Sequence, residues 1–180
     1  MERGVIFVAG TYGVGKSTLC NKLSERLNIP SYSSGDLISE INGETYGANK
    51  IVKDKTANQN ILITAVNRKL SLNPVFMLAG HFCIFNKSGE VECLPDFVYK
   101  EMPISKVILL ETDVNTIISN IKSRDNKMYS LNAVKSLILT ERKQAEIISK
   151  QLNLPLYTHK MNFDQTDVDT VSVIIQRSVS

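Results

Sequence analysis

The sequence predicts an α/β fold, a doubly wound three-layer domain around a five-stranded parallel sheet. Three observations predict it. Short apolar runs alternate with stretches of helical periodicity along the whole chain. A glycine-rich turn, Gly10-Thr11-Tyr12-Gly13-Val14-Gly15-Lys16-Ser17, joins the first apolar run directly to an amphipathic stretch. The 180 residues, at roughly 150 per domain, make a single domain over 1–180, with no Pro/Gly/Ser-rich linker to divide it.

The elements follow in order. Gly4–Ala9 is the first strand. A helix runs from Lys16 to about Leu27, with Leu19, Cys20, Leu23 and Leu27 on one face. Ile29–Ser33 is a short second strand, and a short helix begins near Asp36. The polar, glycine-containing stretch 42–49 reads as an exposed loop. A helix over 54–70 turns Ala57, Ile61, Ala65, Val66 and Leu70 inward. Pro74–Ala79 is the third strand. Two short alternating runs between His81 and Leu94, around Ser88-Gly89, suggest a hairpin or flap. Lys106–Glu111 is the fourth strand. Asp113 caps a helix with Val114, Ile117, Ile118 and Ile121 inward. The helix from Ser130 to about Leu152 places Val134, Leu137, Ile138, Glu141, Ala145, Ile148 and Leu152 at helical spacing. Pro155–Thr158 is the fifth strand, and a last helix covers about 167–177.

Composition excludes several classes. Hydrophobic residues are 43% and charged residues 22%, an ordinary globular mixture. A net charge of +3 gives little support for a nucleic-acid or acidic-membrane binder. The three cysteines, Cys20, Cys83 and Cys93, show neither a disulfide framework nor a zinc pattern, which favours a reducing compartment. No apolar stretch approaches the ~20 residues of a membrane helix. A cytoplasmic domain is the expectation.

The glycine-rich turn matches the P-loop pattern: Gly, four residues, Gly, Lys, then Ser or Thr. The glycines let the backbone wrap closely around a phosphate, with N–H groups from Gly13, Val14 and Gly15 facing it. The helix start adds its positive dipole end. Lys16 is placed to reach the β- and γ-phosphates of ATP. Ser17 offers a hydroxyl to Mg2+, and Thr18 one near the α-phosphate. The fold is thus expected to be that of the P-loop NTPases.

Further along, Tyr32-Ser33-Ser34-Gly35-Asp36-Leu37 follows the second strand. With this segment, the chain resembles the adenylate kinase-like nucleotide kinases, among them the archaeal-type adenylate kinases and small AAA-type ATP-binding proteins. The resemblance continues through the strand and flap Val75–Leu94 with its His81, the strand Val107–Asp113, the helix Ile117–Arg124, Glu141-Arg142, and Leu154-Pro155. It implies an acceptor-binding region at about 31–70, a flap at about 81–94 and a short lid at about 124–130. It implies an acceptor contact or a helix cap at Ser34. Asp36 is implied to hold a magnesium-bound water or an acceptor hydroxyl, and His81 to face the acceptor. Arg124 on the lid and Arg142 join Lys16 as catalytic cations, because phosphoryl transfer is mostly positioning and electrostatics.

Three positions depart from the family pattern. The third strand ends Leu78-Ala79-Gly80, without the acid expected there, and Asp36 or Glu111 are the alternatives. No arginine follows Gly35-Asp36-Leu37; Lys50, Lys53 and Lys55 lie nearby but lack the bidentate fork. Asn120 stands where a second lid-helix arginine is expected. The first expectation is therefore an ATP-dependent phosphotransferase acting on a nucleoside monophosphate or another small acceptor. The alternative is an ATP-binding regulatory module or slow ATPase acting through a protein partner. A kinase of a macromolecule has the least support.

Overall fold

A computed structural model describes residues 3–42, 55–125 and 128–177. The strands are β1 (Gly4–Ala9), β2 (Ser31–Ser33), β3 (Val75–Ala79), β4 (Cys83–Phe85), β5 (Val91–Cys93), β6 (Ile104–Glu111) and β7 (Leu156–Lys160). The helices are α1 (Lys16–Leu27), α2 (Ser34–Asn42), α3 (Lys55–Leu72), α4 (Phe97–Glu101), α5 (Val114–Asp125), α6 (Leu131–Gln151) and α7 (Gln165–Gln176). Five strands form one parallel sheet in the order β2-β3-β1-β6-β7, and β4 pairs with β5 in a separate antiparallel hairpin.

The central strand dictates the layers. Every residue of β1 is buried, and its side chains alternate between two apolar clusters. Val5, Phe7 and Ala9 face α2, α3, α4 and α6. Ile6 and Val8 face α1 and α7. A strand covered on both sides reads as a continuous apolar run, as Val-Ile-Phe-Val-Ala does here. Phe7 meets Phe82 and Tyr99 edge-on at ring-centroid distances of 5.2 and 5.7 Å. Each such buried ring contributes about 1.5–3 kcal/mol. This aromatic core lies beneath the β4–β5 hairpin and fixes its root beside the end of β1.

On α1, Leu19, Cys20 and Leu23 are buried as the spacing predicts. On α6 the buried stripe is Val134, Leu137, Glu141, Ala145, Ile148 and Ser149, with Ile138 and Leu152 half-buried. Ser130 is the cap of α6, its hydroxyl accepting from the Ala133 N–H. Asp113 caps α5 in the same way, accepting from the Thr116 N–H at 2.9 Å. In β6, buried Lys106 sends its ammonium to the carbonyls of Ile175 and Arg177, at 3.2 and 2.7 Å. A cation there satisfies carbonyls left open at the α7 C-terminus and favours its dipole.

Several boundaries differ from the sequence-based ones. β2 is confined to Ser31–Ser33, because Pro30 has no N–H to donate and serves only as acceptor for the Met77 N–H. α7 starts earlier, at Gln165, because Asp164 caps it through the Thr166 N–H. The five-residue α4 has no counterpart in the sequence reading; it is too short to show a period and is started by Pro95-Asp96. The loop expected over 42–49 falls almost wholly outside the described residues, as do Ala57's side chain, Lys50 and Lys53. Among the described residues, no helix is long and apolar enough to cross a membrane.

Candidate functional site

Ligands of open parallel sheets bind at the carboxyl ends of the strands. There the chain leaves β1 and turns through Gly10–Gly15 into α1. Gly10, Gly13 and Gly15 have φ of 144°, 74° and 96°, values that L side chains rarely adopt. Space is also short. A Cβ on Gly10 would lie 2.7 Å from the Leu110 carbonyl oxygen, and one on Gly13 3.1 Å from that of Ile117. The turn is therefore wedged between β6 and α5. The Asn120 amide donates to the Gly13 carbonyl at 2.8 Å, so Asn120 braces the phosphate loop from α5.

Lys16 is only 9% exposed, and its ammonium donates to the carbonyls of Gly10 and Thr11 at 2.7 and 2.9 Å. Ser17 and Thr18 are exposed in the first turn of α1, and Val14 is fully buried. This cradle fits a polyphosphate: it has positive-φ glycines, a helix start behind it and one lysine folded into it. For Mg2+, the Ser17 hydroxyl supplies one hard oxygen, which suits an ion that keeps several waters and takes its other ligands from phosphates.

Behind the loop lies a group that the sequence shows only as an acid on the apolar stripe of α6. Glu141 of α6 is 1% exposed. It accepts from the Gly10 N–H at 3.1 Å, from Phe82 N–H at 3.0 Å and from Cys83 N–H at 2.7 Å. Burial pushes its carboxyl up, while the Phe82 N–H, the Lys16 charge and the Cys83 and Gly10 N–H groups pull the other way. One carboxylate thus ties the phosphate loop, the root of the hairpin and α6 together. The signal in the sequence was an acid on an apolar stripe; a buried acid needs donors, and here they are backbone N–H groups.

The residues expected on the acceptor side take these places. Ser34 begins α2 and its hydroxyl donates to the Ala79 carbonyl at 3.1 Å, joining the ends of β2 and β3. Asp36 is exposed, its N–H donating to the Ser33 hydroxyl. His81 lies against Tyr12 of the phosphate loop, ring centroids 4.4 Å apart, and its carbonyl accepts from the Tyr99 hydroxyl at 2.7 Å. Phe85 of the hairpin stacks on Tyr129 at 4.6 Å. Tyr12, His81, Phe85 and Tyr129 therefore form an aromatic wall running from the phosphate loop to the residues just ahead of α6. Burial raises the Tyr12 phenol, with Tyr129 and Glu141 adding to it, while the Arg124 guanidinium opposes them. Arg124 itself is exposed near the end of α5.

Arg142 is held differently. Its guanidinium makes a bidentate pair with Glu111 at 2.5 and 2.7 Å and is 51% exposed. The pair edges a small cleft lined by Thr11, Thr112, Ile117 and Ile138. Glu111 therefore engages Arg142, which bears on the suggestion that this acid replaces the one absent from β3. The position where the sequence lacks the expected acid is Ala79, the last residue of β3, which already carries a Cβ; the tight position is Gly80, just past the strand. A Cβ on Gly80 would stand 2.6 Å from the Phe7 ring and 2.8 Å from the Ser34 hydroxyl. Lid residues 126–127 lie outside the described residues.

A second network supports the loop from its other side. A Cβ on Gly15 would come 3.3 Å from Met161 and 3.4 Å from Phe163, in the turn between β7 and α7. Asp167 holds that turn, accepting from the N–H groups of Asn162 and Phe163 at 2.9 and 2.7 Å. Buried His159 lies 2.8 Å from the same carboxylate. His159 thus belongs to this turn.

Known proteins resemble the chain in sequence or in fold. The chain is 32% identical over 131 residues to an adenylate kinase of Bartonella quintana (strain Toulouse), a match that takes in 67% of this chain and 65% of that enzyme. Shikimate kinase from Acinetobacter baumannii, solved in complex with shikimate, superposes with a TM-score of 0.62 at 16% identity, covering 97% of this chain and 92% of that one. A gluconokinase from Sinorhizobium meliloti 1021 gives 0.55 at 12% identity, covering 96% and 90%. These two carry the fold alone. Residues 9–137, from the end of β1 into α6, match the AAA domain family, and with its phosphate loop and sheet the chain belongs to that family, among the P-loop nucleotide kinase-like proteins.

Proposed function

We propose that the chain is an ATP-dependent phosphotransferase that moves the γ-phosphoryl group of ATP to a small acceptor, a nucleoside monophosphate or a close chemical relative. The observation that carries this reading is the Glu141 junction. One buried carboxylate positions both the phosphate loop, through Gly10, and the hairpin beside His81, through Phe82 and Cys83. A donor site and an acceptor wall are then held in register, which transfer between two bound molecules requires. The kinship with an adenylate kinase supports a nucleotide acceptor.

In this reading Lys16 leaves the Gly10 and Thr11 carbonyls and follows the negative charge of the bound phosphates. Backbone N–H groups of Gly13, Val14 and Gly15 hold those phosphates. Ser17, with Asp36 as a further candidate, would hold Mg2+, which would supply charge to neutralise the phosphates. Arg124 approaches the transferred group from the lid side and excludes water with the aromatic wall. Ser34, Asp36 and His81 border the acceptor, and Arg142 contributes charge from the cleft beside Thr11.

The test is an acceptor screen with ATP and Mg2+. Nucleosides, nucleoside monophosphates and their deoxy forms are added singly, products are identified by mass, and Lys16→Ala is the control. One acceptor that gains a phosphate and accelerates ADP formation is expected. ADP formation indifferent to every acceptor would instead favour a slow ATPase or regulatory module, a reading to which Ala79, in place of an acid at the end of β3, lends weight. Arg124→Ala is expected to lower kcat by about 10- to 100-fold with little change in ATP affinity, because a lid cation acts mainly on the transition state. An unchanged kcat would return Arg124 to a favourable charge at the end of α5.

A further inference from the structure

The hairpin carries two thiols that the reaction above does not use. Cys83 on β4 and Cys93 on β5 are directly opposite in the antiparallel register. Hydrogen bonds from the Leu94 N–H to the Phe82 carbonyl and from the Asn86 N–H to the Glu90 carbonyl fix the alternation of the ladder. They make Cys83–Cys93 a non-hydrogen-bonded pair. Such pairs bring the Cα atoms to about 4.5 Å, inside the roughly 4.4–6.8 Å range of disulfides. The sulfurs are 2.9 Å apart. Cys83 is fully buried, while Cys93 is exposed. The third cysteine, Cys20, packs in the apolar cluster on the opposite face of the sheet, out of reach of both.

We infer that Cys83 and Cys93 are a reversible redox modification site: a cross-strand disulfide that closes the hairpin and stiffens the acceptor wall beside the phosphate loop. The oxidant is a small-molecule disulfide. The Cys93 thiol, being exposed, loses its proton to solvent and its thiolate attacks one sulfur of the oxidant, expelling a thiolate. Cys83 then loses its proton, attacks the Cys93 sulfur of the mixed disulfide and expels the second thiolate. Two protein thiols are oxidised, one disulfide is reduced to two thiols, and the two protons pass to the expelled thiolates. Burial, the Cys93 thiol and the Glu141 carboxylate all raise the Cys83 thiol, so Cys93 is the point of entry.

The position gives the bond a consequence. The Cys83 N–H is one of the donors to Glu141, whose other oxygen holds the Gly10 N–H. Closing the hairpin across Cys83 restrains the segment on which that junction stands. The hairpin also carries Phe85, which stacks on Tyr129. The inference does not depend on the identity of the acceptor or on transfer itself.

The full chain is equilibrated with oxidised and reduced glutathione in varied ratio, quenched in acid, alkylated under denaturing conditions and weighed intact. The expected oxidised form has lost about 2 Da, the two thiol hydrogens, and retains one alkylatable thiol of its three. Peptide mapping places the bond between Cys83 and Cys93. Excess dithiothreitol restores all three thiols. Cys20→Ser still loses the two hydrogens, and Cys93→Ser, a change at an exposed position, does not. Amide hydrogen exchange within 83–93 slows by about tenfold or more on oxidation, since local opening of the hairpin is suppressed. A stable glutathione adduct on Cys93 without closure, an intermolecular dimer, or closure that leaves hairpin exchange unchanged would each overturn the inference.

Discussion

Glu141 shows how one residue can set the geometry of a site it does not touch chemically. Its two oxygens meet only donors: Gly10 and Phe82 on one, Phe82 and Cys83 on the other. A carboxylate suits four such approaches; a carboxamide does not. In Glu141→Gln one N–H, of Gly10 or of Cys83, faces an amide NH2 of the same sign. Leaving a buried donor unsatisfied costs about 1–3 kcal/mol, so a lower melting temperature is expected. Because Gly10 opens the phosphate loop, ATP affinity should fall by about tenfold or more, measured by calorimetry. If Glu141→Gln bound ATP as tightly as the parent, the loop would hold its shape without the carboxylate. Gly80 is a second single-residue constraint. Gly80→Ala drives a methyl into the Phe7 ring and the Ser34 hydroxyl. Overpacking of this kind costs about 1–3 kcal/mol, and denaturant unfolding would read it. A neutral Gly80→Ala would mean that the ring moves aside.

At the scale of elements, the turn between β7 and α7 invites a pH experiment. Burial raises Asp167, but the Asn162 N–H, His159 and the Phe163 N–H outweigh it and hold its carboxyl below the ordinary range. The sign follows. At pH above the unfolded carboxyl's 3.8, Asp167 is charged in both states and its contribution is whole. As pH falls through 3.8 towards the lower folded value, the unfolded chain takes up the proton first, and stability drains away. The parent should therefore lose stability on acidification below about pH 4, and Asp167→Asn should lose it less steeply while starting from a lower value. Parallel acid limbs for the two proteins would remove Asp167 from the account. This network also shows where the sequence stops being readable. His159 and Asp167 stand eight positions apart, on a strand and a helix of no distinctive pattern, and only the turn between them brings them together. The Cys83–Cys93 pairing was within reach, since the two lie at equal distances from Ser88 at the hairpin's tip. Reading it required the ladder's alternation, which backbone bonds and not side chains decide.

At the scale of the molecule, the alternation of apolar runs and helical stripes was enough to reach five parallel strands, because a doubly covered sheet demands continuous apolar segments. The order β2-β3-β1-β6-β7 was not in the periodicity; it follows from which strand takes the centre. The phosphate loop was readable because its glycines are required by backbone angles and close approach at fixed positions. Its supports, Asn120 and Glu141, come from helices 107 and 131 positions away. The whole sheet end is therefore organised around the loop, and ligand binding should be felt globally. A ligand present at about 100 times its dissociation constant stabilises the folded state by about 2.7 kcal/mol. For a chain of 180 residues, at about 2–4 °C per kcal/mol, that is a rise in Tm of about 5–10 °C with ATP and Mg2+. Lys16→Ala should abolish most of that rise, measured from its own ligand-free Tm, which should itself fall because two buried loop carbonyls lose the ammonium as donor. A Lys16→Ala protein that still gained the full shift would show that ATP binds away from Gly10–Ser17, and the assignment of the phosphate loop would fall with it.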